Sequence, residues 1–239
     1  MLEINKIYNM DCLEGIKQIE DNVIDIVITS PPYNVGGKYK DFKDKSCFSD
    51  YYIFIRNVLD EMLRVTKNYV FLNFGIFEDN KDTYLKLLSM YSENIKEIFI
   101  WAKTMSQPSN SNICKTGFEF IICFTSKEEA ITRSFKIMNV LNISNTIIKE
   151  GNIKNKYKLH KAAFPLWLPE FFISNFTLKD SLVLDPFMGT GTTAVACKRL
   201  ERNYIGFEID KNYVEYSNKR IINVPVKLEQ FKLLEEEDI

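Results

Sequence analysis

The sequence holds a single histidine, and its five cysteines are scattered without a Cys-x-x-Cys pair. That leaves no ligand set for a zinc site, and no metal is expected. An odd, dispersed set of thiols also speaks against a disulfide framework and fits reduced, mostly buried cysteines. Apolar runs long enough to cross a bilayer are missing, so no transmembrane helix is expected. Met1 to Asn5 lack the basic-then-apolar pattern of a signal peptide, and a cytoplasmic location is the expectation. An excess of either sign of charge is missing too. The formal net charge is −1, which withholds any global nucleic-acid signature. Internal repeats, low-complexity tracts and an interdomain linker are also absent from the sequence.

What is present is an ordinary globular composition over 239 residues, 46% hydrophobic and 26% charged, long enough for a sizeable core. Apolar, β-branched runs predict strands at 4–8, 23–29, 69–74, 97–101, 118–124, 182–185 and 204–208. Between them, helical spacing predicts helices at 13–19, 81–90, 166–176, 192–202 and 211–220. A further helix ends near Val65, with Ser49 or Asp50 as its cap. Strands alternating with helices predict an α/β fold with a mostly parallel sheet, read as one domain over 1–239. Trp101, Tyr69 and Phe71 read as core. Residues 127–158 lose the pattern and read as an insertion with little regular structure.

Two turns carry the chemistry. The first is Ser30-Pro31-Pro32-Tyr33, which ends the strand at 23–29. Each proline lacks a backbone donor, and Pro32 pushes Pro31 towards an extended conformation. A stiff turn there presents a hydroxyl, carbonyls and an aromatic face at the sheet edge where α/β folds bind ligands. Such a set can grip a flat, amino-bearing ring. The second turn is Asp185-Pro186-Phe187-Met188-Gly189-Thr190-Gly191-Thr192-Thr193-Ala194. Gly189, Gly191 and Ala194 keep the spacing of a nucleotide-binding turn, with a strand before and a helix after. Glu208 closes the next strand, where an acid can accept both hydroxyls of a ribose. No Gly-Lys-Ser/Thr follows, so this is not a phosphate-binding P-loop. The negative charge of Asp185 suits a ligand ammonium or sulfonium better than a pyrophosphate.

Together, in this order, the two turns resemble the β-class DNA amino-methyltransferases. Ser30-Pro31-Pro32-Tyr33 looks like their catalytic motif, and Asp185 to Thr193 like their S-adenosylmethionine motif. Three further segments are similar to the family: Asp11-Cys12, His160-Lys161-Ala162-Ala163-Phe164-Pro165, and Glu208-Ile209-Asp210. The resemblance implies a Rossmann-like methyltransferase fold with permuted motif order. It implies S-adenosylmethionine held by Asp11, Cys12, Ala163, Phe164, Pro165, Asp185, Phe187, Gly189, Thr190, Gly191, Thr192, Thr193, Glu208 and Ile209. It makes 127–158 a short target-recognition insertion. His160 then reads as a wall of the cofactor pocket rather than a base, and Phe164 as either a cofactor flank or core.

The implied activity is methylation of an exocyclic amine in double-stranded DNA. Ser30 and the Pro31 carbonyl would accept hydrogen bonds from the amine, and Tyr33 would stack on a flipped base. Ring-carbon methylation needs a cysteine nucleophile, typically after proline, and no cysteine here follows one. Serine at the head of the turn resembles the cytosine-N4 enzymes, and adenine N6 is the alternative. Lys154, Lys156 and Lys158, in a lysine-rich stretch, are the candidate phosphate contacts, or else a solvated surface. A homodimer and a cognate restriction endonuclease are the partners the family implies. Also open at this point are RNA amino-methylation, a nicotinamide-dependent oxidoreductase and an idle DNA-binding subunit.

Overall fold

The structure is a computed structural model that describes residues 2–34, 46–107, 116–127, 139–141, 164–222 and 224–225. In chain order the elements are β1 (Lys6–Asn9), α1 (Cys12–Ile16), β2 (Ile24–Thr29), α2 (Phe48–Val65), β3 (Thr66–Phe74), α3 (Lys81–Met90), β4 (Ile95–Gln107) and β5 (Thr116–Phe124). They are followed by β6 (Val140–Leu141), α4 (Trp167–Phe176), β7 (Leu182–Asp185), α5 (Thr192–Arg199), β8 (Asn203–Glu208) and α6 (Lys211–Ile222).

Among the described residues eight strands form one sheet in the order β1-β8-β7-β2-β3-β5-β4-β6. Only β5 runs against its neighbours; β1/β8, β8/β7, β7/β2, β2/β3 and β4/β6 are parallel. From β2 the chain steps outward to β3, and from β7 it steps the other way to β8. The boundary between β2 and β7 is therefore a topological switch point, where a crevice opens at the carboxyl ends of the strands.

Strands β2 and β3 are apolar on both faces because both faces are covered. Ile26, Ile28 and Phe71 pack into one core with Phe172 and Trp167 of α4. Val27, Val70, Leu72 and Phe74 pack into the other with Ile55, Leu59 and Met62 of α2. A register shift between Ile24 and Ile26 turns Ile24 onto the same side as Val27. On the first face Phe71 lies 4.4 Å from Phe172 and 4.8 Å from Phe176, ring centre to ring centre. Among the described residues no helix is long and apolar enough to cross a membrane.

Several boundaries differ from expectation. Helix α2 begins at Phe48 behind Cys47, with no side-chain cap bond, so neither Ser49 nor Asp50 is the cap. Asp50 lies inside the first turn, where its charge still favours the helix N-terminus. β3 starts at Thr66, directly from α2, because the polar Lys67 and Asn68 are tied to Asp25 of β2. β4 and β5 extend each other as an antiparallel pair beyond their apolar centres. Helix α5 stops at Arg199, short of the expected 202. Among the described residues of 127–158, Val140 and Leu141 form β6 and pair with Ile100 and Trp101.

Candidate active site

The glycine-rich turn leaves β7 and enters α5. Gly189 and Gly191 have φ of 53° and 80°, left-handed values that glycine adopts without strain. A side chain at Gly191 would also meet Ser217 Cβ at 2.8 Å. Helix α6 clamps the turn: Ser217 Oγ donates to the Gly189 carbonyl, and Arg220 donates to the Thr190 carbonyl and to Thr192 Oγ1.

Asp185 is 1% exposed. Its Oδ1 accepts from Thr29 Oγ1 at 2.6 Å and from the Phe187 amide at 3.1 Å, and Oδ2 accepts from Thr193 Oγ1 at 2.6 Å. Burial pushes its carboxyl up to about 6, against three hydrogen bonds that favour the charged form. The expectation that its charge faces a ligand cation does not describe this geometry. The carboxylate is an internal tie that fastens β2, β7 and α5 together.

At the end of β8, Glu208 Oε2 accepts the Gly189 amide at 2.9 Å and Oε1 accepts the Asp210 amide at 2.8 Å. One backbone donor per oxygen leaves a further acceptor position on each. Burial raises the Glu208 carboxyl above the usual glutamate range, with the two amides working the other way. Asn9 of β1 donates to the carbonyls of Glu208 and Ile209, and Ile209 keeps an exposed apolar side chain. The pairing of Asn9 with Glu208 sets Asp11 beside this acid. Asp11 Oδ1 caps α1 through the amides of Leu13 and Glu14, and Cys12 is buried behind it. Burial drives the Cys12 thiol far above its usual range, so it stays neutral. Phe187 is half-buried, 6.0 Å from Phe54. Phe164 packs against the core beside a half-buried Pro165. A carboxylate with two free acceptor positions, an apolar neighbour and a glycine turn fit a ribose and base, as S-adenosylmethionine requires.

The second turn follows β2. Pro31 is buried. Tyr51 Oη donates to the Pro32 carbonyl at 2.6 Å, and Asn80 Nδ2 donates to the Tyr33 carbonyl at 3.0 Å. Among the described residues none donates to the Pro31 carbonyl. The protein thus occupies two carbonyls of the turn and leaves the one between Ser30 and Pro32 available. Ser30 Oγ lies 3.0 Å from Tyr33 Oη. Tyr33 Oη in turn donates towards Glu119 Oε2 at 3.1 Å and lies 3.4 Å from Asn73 Oδ1. The Tyr33 ring lies 5.9 Å from that of Phe77. Because β2 and β7 are neighbours and Thr29 bonds Asp185, the two turns sit side by side at the switch point.

A sequence profile for N6/N4 methyltransferases, described as DNA methylase, matches residues 24–219. The chain belongs to this DNA methylase family. Relatives include the type II methyltransferase M.HpaI of Haemophilus parainfluenzae, 28% identical over 88% of this chain and 72% of its own. Another is the type II methyltransferase M1.MboII of Moraxella bovis, 28% identical over 91% of this chain and 96% of its own. Among solved structures, the cytosine-N4-specific PvuII DNA methyltransferase is similar with a TM-score of 0.73 and 25% identity. That match covers 90% of this chain and 85% of the other. The complex of M1.HpyAVI with S-adenosylmethionine is similar with a TM-score of 0.61 and 27% identity, covering 90% and 98%. The fold is that of the S-adenosylmethionine-dependent methyltransferases.

The structure brings Ser30, Pro31, Pro32 and Tyr33 to the same edge as Asp185, Phe187, Gly189, Thr190, Gly191, Thr192, Thr193 and Glu208. Asp11, Cys12 and Ile209 join them from the β1/β8 side. Ala163, His160, Lys154, Lys156 and Lys158 lie outside the described residues. Sequence reasoning missed Asn73, Asn80, Lys103 and Glu119. A signal was available for two of them: Asn73 and Glu119 each interrupt an apolar strand and are 2% and 5% exposed. A polar residue buried in a strand needs partners, and the partner here is Tyr33 of the Pro-Pro-Tyr turn.

Proposed function

We propose that the chain transfers a methyl group to the N4 amine of cytosine in duplex DNA, at a specific sequence. DNA amino-methylation, with S-adenosylmethionine as methyl donor, comes with membership of the family. The choice of cytosine rests on Ser30, a hydroxyl at the head of the Pro-Pro-Tyr turn, and on the likeness to the cytosine-N4-specific PvuII enzyme.

Glu208 would hold the ribose of the cofactor, Ile209 and Asp11 the neighbourhood of its base, and the turn at Gly189 to Thr193 its backbone-facing side. When bound, the cofactor supplies a methyl group on an electrophilic sulfonium. The chain's own residues prepare the nucleophile. An exocyclic amine donates its lone pair into the ring and is a poor nucleophile for that reason. Ser30 Oγ and the Pro31 carbonyl are acceptors for its two hydrogens. Both bonds draw the nitrogen towards a tetrahedral shape and return the lone pair to it. Orientation and fixed dipoles supply most of the acceleration. The surplus proton of the product leaves to water, so no strong base is required. Lys154, Lys156 and Lys158 serve as phosphate contacts in this reading.

Methylated duplex DNA, digested to nucleosides and separated by mass, tests the base. N4-methyldeoxycytidine is expected. N6-methyladenine without any amino-methylated cytosine would overturn the choice of base.

A further inference from the structure

A buried polar cluster lies under the catalytic turn. Tyr33 Oη meets Ser30 Oγ, Glu119 Oε2 and Asn73 Oδ1 at 3.0, 3.1 and 3.4 Å. Asn73 Nδ2 donates to Glu119 Oε2 at 3.2 Å and to the Phe120 carbonyl at 3.1 Å. The other oxygen of Glu119 takes the Lys103 ammonium, which also lies 4.5 Å over the Trp101 ring. The Lys103 and Glu119 side chains are 10% and 7% exposed, so this ion pair is nearly dry.

The proton positions follow from what each group can do. The Phe120 carbonyl only accepts, so it fixes the Asn73 amide nitrogen on its side and turns the amide oxygen to Tyr33. Tyr33 Oη therefore faces two groups that only accept, and one hydroxyl. It has one proton, and the nearer, charged acceptor is Glu119. Burial, then the Glu119 charge, hold the Tyr33 phenol well above its usual range, so that proton stays. Ser30 must then donate to Tyr33 Oη, which leaves both lone pairs of Ser30 Oγ for a ligand.

We propose that Glu119, held by Lys103, is a positioning residue for methyl transfer: it orders the hydroxyl protons from Ser30 to Tyr33 to Glu119, so that Ser30 meets the target amine as an acceptor only. This rests on the reading of Ser30 as the amine's acceptor. Without the carboxylate, the Tyr33 proton can turn to Ser30. The Ser30 proton then points at the amine whose hydrogen it has to accept.

The test is a double-mutant cycle on methyl transfer from labelled S-adenosylmethionine to unmethylated genomic duplex DNA. In Glu119→Gln, the Lys103 ammonium draws the new amide oxygen and leaves an amide N–H against Tyr33, which reverses the order. The variant should lose about tenfold or more in kcat, the worth of one misdirected hydrogen bond. KM for DNA and cofactor affinity should stay within about twofold. In a Tyr33→Phe background the same substitution should cost nothing further, because the link to Ser30 is already cut. Wild-type kcat in Glu119→Gln, or losses that multiply in the Tyr33→Phe background, would overturn the proposal. Should Glu119→Gln not fold, the paired Glu119→Leu/Lys103→Met variant leaves no buried charge unpaired and carries the same comparison. Ser30→Ala separates the two readings: wild-type turnover there would remove the amine-binding role of Ser30 itself.

Discussion

Replacing Glu208 should cut cofactor affinity more deeply than a surface acid would. Its two oxygens each hold one backbone amide, Gly189 at 2.9 Å and Asp210 at 2.8 Å, and each keeps one acceptor position for a ribose hydroxyl. Hydrogen bonds to a charged group are worth roughly 1.5–3 kcal/mol each, so losing two costs about 3–6 kcal/mol. At about 1.4 kcal/mol per decade, Glu208→Ala should raise the Kd by about 100-fold or more. Glu208→Gln should be nearly as damaging. Both oxygens accept from backbone N–H groups, so whichever way the amide turns, it sets its own N–H against one of them. Calorimetry with S-adenosylmethionine and S-adenosylhomocysteine measures this, with thermal unfolding to check that the turn survives. Because burial raises the Glu208 carboxyl, protonation begins at a higher pH than for an ordinary glutamate. Cofactor affinity should therefore fall as pH drops towards that range. A Glu208→Ala protein that folds and binds the cofactor within about threefold of wild type would refute the assignment.

Ser30→Ala should lower kcat while leaving cofactor affinity nearly constant, since Ser30 belongs to the turn after β2 and not to the glycine turn; equilibrium binding beside steady-state kinetics reads the split. Asp185 carries a pH signature. Its folded value of about 6 lies above the ordinary 3.8, so the folded state holds the proton more tightly than the unfolded chain. The stability it contributes is fully present below the ordinary value and is lost as pH rises through about 6, a swing of about 3 kcal/mol. Asp185→Asn should flatten that part of the stability profile in denaturant titrations between those two values. Replacing Lys154, Lys156 and Lys158 together should flatten the salt dependence of DNA binding by up to about 0.9 log units per lost phosphate contact. An unchanged slope would return that stretch to a solvated surface.

Much of this arrangement is legible in the sequence because its causes are local. The apolar run before Ser30 reads as a buried strand, and the one before Pro186 as another. The prolines and glycines after them fix the turns by their own backbone limits. The alternation of elements gives the parallel sheet, and with it the edge at which both turns meet. What sequence could not supply depends on contacts between distant segments. Asp185 looks like a charge offered to a ligand until Thr29, 156 positions away, is seen to hold it. Strand β5 runs antiparallel, which no local pattern encodes, and that reversal brings Glu119 to Tyr33. The start of β3 escapes the local pattern because Lys67 and Asn68 are polar, and their partner Asp25 lies on another strand. Ser49 and Asp50 read as caps, yet α2 starts earlier, behind Cys47, since tertiary packing of Tyr51, Ile55 and Leu59 sustains the helix without a side-chain cap.

In the proposed function the nitrogen of the cytosine amine is the atom that receives the methyl group. Duplex DNA carrying nitrogen-15 at the exocyclic amine of cytosine can be incubated with the protein and S-adenosylmethionine labelled with carbon-13 in its methyl group. Nuclear magnetic resonance of the digested product should show the new methyl carbon split by a one-bond coupling to that nitrogen. A transferred methyl without this coupling, on adenine or on a ring carbon, would contradict cytosine N4 as the target.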